Sequence, residues 1–392
     1  MKGKVLHLIY GFLEGGTEHQ MLQLTRLLQE SGRYQVLIAC LIRSGNLVEN
    51  AERLVGPIPE FPIKSFYAPQ TFVQLRAFAS HLREHEIDVV HTHDFYSNIF
   101  GMAGAALART PARIASRREI GGLRSLRQKF VERQAFRLAH SVVANSAAVQ
   151  NRIVEEGVPA LKVVTLYNGL DMNRVRTRAG FRRDQTLAAF GIPSTPRRRF
   201  VTIMANMRFP VKDHAMFLRT AQRVRAVVSD AAFIIAGEGT LLEQYRALAA
   251  QLGISDDVFF IGRCERVGEL LGLSDVCVLS SRAEGFSNSI LEYMAAARPV
   301  VVTDVGGARE AVVEGETGYI VPAGDDEKMA ARIISLLNEP DRGRRMGELG
   351  RRVVEEKFSC AAQLARTEAL YEELLADRVP LRSVISAQEE GT

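Results

Sequence analysis

Two glutamates, Glu284 and Glu292, lie eight positions apart in the segment Glu-Gly-Phe-Ser-Asn-Ser-Ile-Leu-Glu. The apolar run 276–279 before them predicts a strand, and Ser287 is a good N-cap residue for a helix over 288–297. The first N–H groups of such a helix lack partners within it and carry partial positive charge, which suits a phosphate. Ligands of open parallel sheets bind beyond the carboxyl ends of the strands, so both glutamates lie where a ligand would bind.

Asn288 and Glu292 are spaced i,i+4 on the predicted helix and therefore share a face. A ligand with its phosphate at the helix start would place a sugar hydroxyl against Glu292. Glu284 would then face the group on the other side of the phosphate. Each residue read alone is better explained as a surface glutamate or an ordinary helix cap, but the combination favours a ligand site.

Two cations, Arg208 and Lys212, follow the strand predicted over 200–204. Positive side chains in a loop at the end of a strand can neutralise a diphosphate. An enzyme with a diphosphate leaving group needs either Mg²⁺ or fixed cations, and the chain contains no Asp-x-Asp pair. We therefore expect the protein to supply the charge without a metal. Taken alone, this motif is equally consistent with two solvated loop cations.

His91 and His93 end another predicted strand, and side chains two positions apart on a strand share a face. They could bind a metal, transfer a proton or contact a sugar. With no cysteine partner and no third ligand nearby in the sequence, we expect no metal. One histidine is expected to be packed and hydrogen-bonded, and the other to reach a ligand.

Gly15 and Gly16 follow the first predicted strand and would let a ligand approach the backbone closely. Thr17 and Gln20 have the spacing of a capping box, which predicts that a helix starts there. The glycine patterns of dinucleotide-binding folds and of the P-loop are absent from the sequence. An enzyme that uses a dinucleotide or ATP is thus disfavoured.

Short apolar runs alternate with longer amphipathic ones almost throughout the chain, which is the pattern of parallel sheets covered by helices. The predicted strands are 5–9, 36–42, 89–91, 114–116, 142–144, 163–166, 200–204, 233–236, 258–261, 276–279, 300–303 and 319–321. We infer an α/β protein of two doubly wound, Rossmann-like domains that face a cleft. The expected domains are 1–172 and 173–359, with a helix over 360–375 packed back on the first and a mobile tail over 380–392.

The composition is that of a globular protein: 47% of the 392 residues are hydrophobic and 24% are charged. No segment has the roughly 18 uncharged apolar residues of a membrane span. The apolar start of the chain imitates a signal peptide, but it lacks a cleavage pattern and is better interpreted as the first strand. The four cysteines have no paired spacing, which argues against a zinc site or disulfides and for the cytoplasm.

The segment 109–137 carries nine basic and two acidic residues, a net charge of +7, whereas the whole chain carries +5. The positive charge is therefore a local patch that could meet an anionic membrane or an anionic substrate. No recognisable nucleic-acid-binding module accompanies it, so nucleic acid is not an expected partner. A solvated helix face is the plainer alternative.

The order of these motifs resembles the large group-1 (family 4) retaining glycosyltransferases over nearly the whole chain. The motifs that carry the resemblance are Gly15–Glu18, His91–His93, Asn145–Ser146, Asn168–Asp171, Arg208 with Lys212, Gly237–Gly239, Gly262–Arg263 and Glu284–Glu310. The resemblance implies the GT-B fold, with two Rossmann-like domains around a cleft, and no metal or other cofactor.

The resemblance also implies roles for particular residues. Glu292 would hold the nucleotide ribose, Glu284 would lie by the donor sugar, and the backbone near Arg263 and Cys264 would meet the base. The residues that it assigns to donor binding are Gly15, Gly16, Arg263, Phe286, Ser287, Asn288, Ser289 and Glu292. The residues that it assigns to catalysis are Glu284, Arg208, Lys212, His93 and Arg118.

The sequence departs from the family pattern at two positions. Ala297 stands where the family usually has glycine, which is expected to be harmless at a helix end. Arg118 stands near the position where many members carry a histidine after the fourth strand of the first domain. Either Arg118 stabilises negative charge there, or His93 takes over the role of that histidine.

We therefore expect a metal-independent enzyme that moves a sugar, with retained configuration, from a nucleotide-diphosphate donor such as a UDP-sugar. The acceptor would be a hydroxyl of a glycan or a lipid-linked molecule in envelope or exopolysaccharide synthesis, at the inner membrane face. The alternatives are an epimerase or phosphorylase of the same fold, or a non-catalytic scaffold that binds nucleotide sugars. The basic segment predicts peripheral docking on an anionic membrane through Arg124, Arg127, Lys129, Arg133 and Arg137. The apolar residues among these charges are Leu123, Leu126, Phe130 and Phe136, of which Leu123, Leu126 and Phe130 share one helical stripe.

Overall fold

The computed structural model describes residues 2–13, 15–66, 68–120, 124–177, 180–194 and 198–376. The chain forms two compact units. The first comprises Met1–Asn168 and Cys360–Thr392, and the second comprises Gly169–Ser359. The predicted mobile tail over 380–392 lies outside the described residues.

Each unit contains a six-stranded, fully parallel sheet. The strands of the first unit are β1 (Gly3–Ile9), β2 (Tyr34–Cys40), β3 (Val89–Thr92), β4 (Ala112–Arg117), β5 (Ser141–Ala144) and β6 (Val163–Thr165). Those of the second unit are β7 (Arg199–Met204), β8 (Ala231–Ala236), β9 (Val258–Gly262), β10 (Ser274–Leu279), β11 (Val300–Thr303) and β12 (Gly318–Val321). The spatial orders are β2-β1-β3-β4-β5-β6 and β12-β11-β10-β7-β8-β9.

The helices before the second unit are α1 (Gly16–Glu30), α2 (Val48–Val55), α3 (Pro69–Glu84), α4 (Phe95–Ala108), α5 (Leu126–Leu138) and α6 (Ala147–Glu155). Those of the second unit are α7 (Arg183–Ala189), α8 (His214–Val227), α9 (Leu242–Gln251), α10 (Val267–Leu273), α11 (Asn288–Ala295), α12 (Ala308–Ala311), α13 (Asp326–Asn338) and α14 (Pro340–Lys357). The chain then returns to the first unit as α15 (Cys360–Ala376). Short 3₁₀ turns lie at Ala160–Lys162, Met172–Val175, Pro210–Lys212 and Ser255–Asp257.

All twelve predicted strands are confirmed, with ends that shift by at most two residues. Helices cover both faces of a doubly wound parallel sheet, so its strands are buried on both sides and become continuous apolar runs. Every residue of β8 and β11 is buried, for example. Runs of this kind are easier to recognise in a sequence than strands that alternate between core and solvent.

The helix α15 is fixed to the first unit by side chains from several elements. Arg33 forms ion pairs with Glu368 and Glu372 on this helix. The buried ring of Tyr371 meets the edge of Tyr34, with ring centroids 5.8 Å apart. The last described helix is therefore part of the core of the first unit.

The starts and ends of two helices differ from the sequence prediction. The N-cap of α1 is Gly15 and has no side-chain capping bond, so the predicted capping box at Thr17 is wrong. The helix α11 ends at Ala295 rather than at Ala297, which has a left-handed backbone with φ of 54°. An L-residue in this conformation costs about 1–2 kcal/mol, so the expectation that Ala297 is harmless is also wrong.

Candidate active site

The site residues of the second unit lie where β7, β8, β9 and β10 end. The loop after β8 packs on the loop after β7, and the amide of Met207 donates to the carbonyl of Glu238 at 2.8 Å. A side chain at Gly239 would lie 2.0 Å from the carbonyl carbon of Met207, so only glycine permits this approach. The close contact fixes the backbone from which Arg208 extends.

Lys212 and Glu284 are brought together by the loops after β7 and β10. The Lys212 Nζ lies 2.5 Å from the Glu284 Oε1, and the hydroxyl of Ser281 donates to the same oxygen at 2.6 Å. The Glu284 side chain is only 12% exposed. The pair is therefore a positive and a negative group held in fixed positions at the strand ends.

Arg208 lies four positions before Lys212 in the chain, and its side chain is exposed. It lines an open hollow with a volume of about 570 Å³. The other lining residues are Phe209, Glu238, Gly239 and Thr240. An exposed guanidinium on a glycine-fixed loop can reach an anionic ligand without giving up a strong protein partner.

Glu292 lies on α11, is buried, and forms an ion pair with Arg174 at 2.8 Å. Burial raises the pKa of Glu292, and the neighbouring Arg174 opposes that rise. Arg174 was missed by the sequence analysis because it lies 118 positions earlier, in a short 3₁₀ turn with no motif of its own. A ligand hydroxyl that binds Glu292 would share the carboxylate with this arginine.

The start of α11 is held against the end of β7. The hydroxyl of Ser289 donates to the carbonyl of Met204 at 2.9 Å, and the amide of Met204 donates to the Tyr293 hydroxyl at 2.6 Å. Ser287 is the N-cap residue, as predicted, but its side chain makes no capping bond. The ring of Phe286 packs on Phe358, with centroids 5.2 Å apart.

Asn288 lies at the first position of α11 and is half-buried, on the same helix as Glu292. Arg263 directly follows β9 and pairs with the exposed Glu265 at 3.5 Å. The next residue, Cys264, is half-buried, and burial raises the pKa of its thiol to about 11. The charge of Glu292 contributes to that shift, so these two residues lie close enough to interact.

In the first unit, His7 joins His91 and His93 in a buried cluster. His7 and His91 are register partners on β1 and β3, and one ring nitrogen of each histidine lies within 4.8 Å of the others. The expectation that the two predicted histidines lack a third neighbour is therefore wrong. The sequence shows His7 in the first strand, but only strand pairing reveals that β1 lies beside β3.

The histidines hydrogen-bond to one another and to the core. His7 Nδ1 lies 2.7 Å from His93 Nε2, and the two nitrogens of His91 lie 2.7 Å from the Tyr371 and Ser116 hydroxyls. Burial lowers the pKa of His7 to about 3 and lowers the pKa values of the other two well below the ordinary range. All three imidazoles are neutral at pH 7.

Arg117 and Arg118 are adjacent in sequence but have opposite environments. Arg117 is buried between Glu156, at 2.5 Å, and Glu132, at 3.7 Å. Arg118 instead donates one hydrogen bond to the neutral amide of Asn168 at 2.8 Å. Burial lowers the pKa of Arg118 to about 10, which leaves it charged at neutral pH.

Gly15 and Gly16 lie at the start of α1, beyond the carboxyl end of β1. Gly15 has an extended backbone, and the Glu18 carboxylate lies 2.5 Å from the position that a β-carbon would take there. The glycine therefore makes room for a carboxylate of its own helix.

Structures of other proteins define the class to which this fold belongs. A crystal structure of Anabaena HepE in complex with UDP superposes with a TM-score of 0.83 at 19% identity, covering 94% of this chain and all of that one. A glycosyltransferase from Rickettsia africae superposes with a TM-score of 0.84 at 17% identity, covering 96% and 99%. The chain has the GT-B fold that these proteins share.

Sequence comparison gives the family. Residues 14–174 match "Glycosyltransferase Family 4", and residues 189–353 match "Glycosyl transferases group 1". D-inositol 3-phosphate glycosyltransferase of Thermomonospora curvata is 30% identical over 69% of this chain and 68% of its own length. The chain belongs to the group-1, family 4 glycosyltransferases.

Other relatives match over a shorter part of their length. N-acetyl-alpha-D-glucosaminyl L-malate synthase of Bacillus anthracis is 31% identical over 60% of each chain. The putative glycosyltransferase EpsD of Bacillus subtilis is 32% identical over 52% of this chain and 49% of its own. The chain thus spans about half to three fifths of these two relatives. No helix among the described residues is both long and apolar enough to cross a membrane.

The histidine cluster predicts an acid-sensitive first unit. The pKa of His7 is 6.5 in the unfolded chain and about 3 in the folded one, so between these values only the unfolded chain binds the proton. The contribution of His7 to the free energy of unfolding is therefore fully present above about pH 6.5, and it is lost as the pH falls towards 3. At pH 5, the shifted pKa of His7 alone should lower the free energy of unfolding by about 2 kcal/mol relative to neutral pH.

Urea unfolding between pH 7.5 and pH 5 measures this loss. The variant His7→Gln should show a shallower dependence on pH, whereas the exposed His85→Gln should behave nearly like the unaltered protein. A free energy of unfolding that stays constant over this range would contradict the prediction.

Proposed function

We propose that the protein is a retaining glycosyltransferase that uses a nucleotide-diphosphate sugar, with UDP as its nucleotide. The observation that carries the proposal is the fixed Lys212–Glu284 pair at the strand ends of the second unit, with the exposed Arg208 in the same loop as Lys212, in a chain of this family. The related HepE structures contain UDP or UDP-glucose, which supports the choice of nucleotide.

The proposed acceptor is a hydroxyl of a glycan or of a lipid-linked molecule in polysaccharide assembly. The relatives support this class by their names: one is a capsular polysaccharide biosynthesis glycosyltransferase of Staphylococcus aureus, 38% identical over 26% of this chain. In the proposed reaction the acceptor oxygen bonds to the anomeric carbon of the donor as the bond to the diphosphate breaks. The acceptor proton passes to an oxygen of the departing diphosphate, on the same face of the sugar.

The protein's contribution to this step is electrostatic. Negative charge grows on the diphosphate as it departs, so the cations that face it stabilise the transition state more than the bound donor. We assign this role to Arg208 and Lys212, and we assign the ribose to Glu292. Glu284 holds Lys212 in place before the ligand arrives, because the two side chains are already 2.5 Å apart. We propose that no metal is needed, since these cations supply the charge.

Two alternatives predict different products. A scaffold would bind the nucleotide sugar without turnover, and an epimerase or phosphorylase would act without a glycosyl acceptor. Release of UDP that depends on an added acceptor supports the transferase. A panel of nucleotide sugars tested for thermal stabilisation identifies the donor, since a bound ligand raises stability according to its affinity.

Glu292→Ala should weaken UDP binding by roughly 1.5–3 kcal/mol, because a charge-assisted hydrogen bond to a ribose hydroxyl is lost. Isothermal titration calorimetry measures the change. The matched control is Glu243→Ala, which removes a largely exposed glutamate on α9. Equal UDP affinities for the unaltered protein and Glu292→Ala would rule out the ribose role.

Lys212→Ala should lower kcat more than it raises KM, because the charge that it stabilises grows in the transition state.

The activity of the unaltered enzyme should survive excess EDTA. This prediction and the previous one are both measured by UDP release with donor and acceptor present. Activity that EDTA abolishes and that only Mg²⁺ or Mn²⁺ restores would disprove the metal-independent mechanism.

We further propose that the first unit docks on an anionic membrane through a surface on α5. Leu126 is 85% exposed and Phe130 is 56% exposed, so these residues do not pack on the core. Arg133 and Arg137 continue the same stripe of the helix at i+7 and i+11 from Leu126. Apolar and basic residues on one face are the features of a helix that lies on an anionic lipid surface.

The surface is smaller than the sequence predicts. Arg124 pairs with Glu119 and Glu132, and Lys129 lies 3.4 Å from Glu156, so neither cation is available to lipid. The prediction that Phe136 belongs to the docking surface is wrong, because its ring is buried. Leu123, which the sequence places in the stripe, lies outside the described residues.

The remaining basic residues are Arg127, Arg133 and Arg137, each of which contributes about 1 kcal/mol near an anionic surface. Replacing Arg133 and Arg137 with glutamate should abolish co-sedimentation with vesicles of phosphatidylserine and phosphatidylcholine at low salt. The control is the same charge change at Arg344 and Arg345 on α14. Equal, negligible binding of the unaltered protein to neutral and anionic vesicles would refute docking, while leaving the transferase proposal intact.

A further inference from the structure

Three neighbouring strands of the first unit are each followed directly by a polar residue. His93 follows β3, Arg118 follows β4 and Asn145 follows β5. These strands are adjacent and parallel in the sheet, so the three residues lie at the same edge. This edge is the side of an open α/β sheet on which ligands bind.

Each of these residues has a buried side-chain atom without a hydrogen-bond partner among the described residues. The atoms are His93 Nδ1, Arg118 Nε and Asn145 Oδ1. Buried polar atoms in proteins almost always have a partner, and leaving one unpaired costs about 1–3 kcal/mol. Three such atoms after three adjacent strands therefore indicate a missing polar ligand rather than three unrelated defects.

Arg118 shows what charge that ligand carries. In the described part of the chain its guanidinium donates one hydrogen bond, to Asn168, and no carboxylate of that part lies within 4 Å of the guanidinium. The charge of Glu18 acts on Arg118, but the two side chains form no hydrogen bond and no ion pair within 4 Å. Poorly solvated charges in proteins are normally paired and hydrogen-bonded directly. Arg117 illustrates the usual solution one position earlier, since two glutamates flank it.

We propose that Arg118 binds an anionic oxygen group, a phosphate or a carboxylate, of the acceptor substrate. Asn145 Oδ1 accepts a hydrogen bond from an acceptor hydroxyl beside that group, and His93 Nδ1 contacts another polar atom of the same molecule. The inference rests on the proposed transferase function for the word acceptor. The donor diphosphate is assigned to cations of the second unit, which leaves this edge for the other substrate.

Inorganic phosphate is the first probe, because it binds without turnover. Saturating UDP is added to fill the diphosphate site of the second unit, and phosphate is compared with chloride at equal ionic strength by calorimetry and thermal unfolding. The unaltered protein should bind phosphate in this setting. Arg118→Gln should weaken that binding roughly 10- to 100-fold, and Arg118→Lys should weaken it less, because the charge is kept but the guanidinium fork is lost.

Arg344→Gln is the matched control, since it removes an exposed cation of the other unit that the proposed mechanism does not use. Its phosphate affinity in the presence of UDP should match that of the unaltered protein. The same measurement with acetate in place of phosphate tests whether the site prefers a carboxylate. The affinity for the preferred anion should fall more in Arg118→Gln than the affinity for the other anion. A role of Arg118 in folding alone would lower the melting temperature without changing the rise that phosphate causes.

Two results would overturn the proposal. One is an unchanged phosphate affinity in Arg118→Gln, and the other is that no variant binds phosphate when UDP is present. Glucose 6-phosphate and glucose extend the test to a hydroxylated ligand, and the phosphorylated sugar should bind at least ~10-fold tighter only when Arg118 is present. These readouts do not need catalysis. A protein that binds anions through Arg118 but never releases UDP would therefore refute the transferase function and leave the anion site standing.

Discussion

The geometry of a parallel sheet is the constraint on which the rest of this structure depends. Every strand of such a sheet points the same way, so a helix must carry the chain back and the carboxyl ends of all strands meet at one edge. The second unit uses this edge to bring Lys212, after β7, to Glu284, after β10. The first unit uses it to align His93, Arg118 and Asn145. Residues far apart in the chain become neighbours because the strands that precede them are neighbours.

Charge is handled differently at the two edges. In the second unit Glu284 and Glu292 already have cationic partners, Lys212 at 2.5 Å and Arg174 at 2.8 Å, so the proposed ligand would exchange partners within existing pairs. In the first unit burial keeps the histidines neutral, whereas Arg118 is a cation that interacts with the charge of Glu18 but forms no ion pair within 4 Å among the described residues. A pre-formed pair makes a site rigid at little electrostatic cost, whereas an unpaired cation makes it selective for an anion, since only an anion relieves the cost of its burial.

The basic segment shows why charge counted along a chain differs from charge available to a partner. Nine basic residues lie between positions 109 and 137, yet Arg117 and Arg124 are held in a buried network with Glu132, and Lys129 faces Glu156. One of the glutamates that pair with them, Glu156, directly follows α6 and so lies outside the segment. On α5, one stripe combines the exposed Leu126 and Phe130 with Arg133 and Arg137.

The sequence alone determined the fold class, the twelve strands and the family, because strands buried on both faces become continuous apolar runs and the motifs follow those runs in a fixed order. It also indicated Glu284 and Lys212 as separate site residues, since each lies in the loop after a recognisable strand. Only the tertiary structure decided which residues became partners: Arg174 for Glu292, and His7 beside His91. Sequence spacing carries no information about such pairs, because strand order, and not chain order, sets which side chains meet. The start of α1 was not decided by local propensity either, since propensity favoured Thr17 as the cap, whereas the N-cap residue is Gly15.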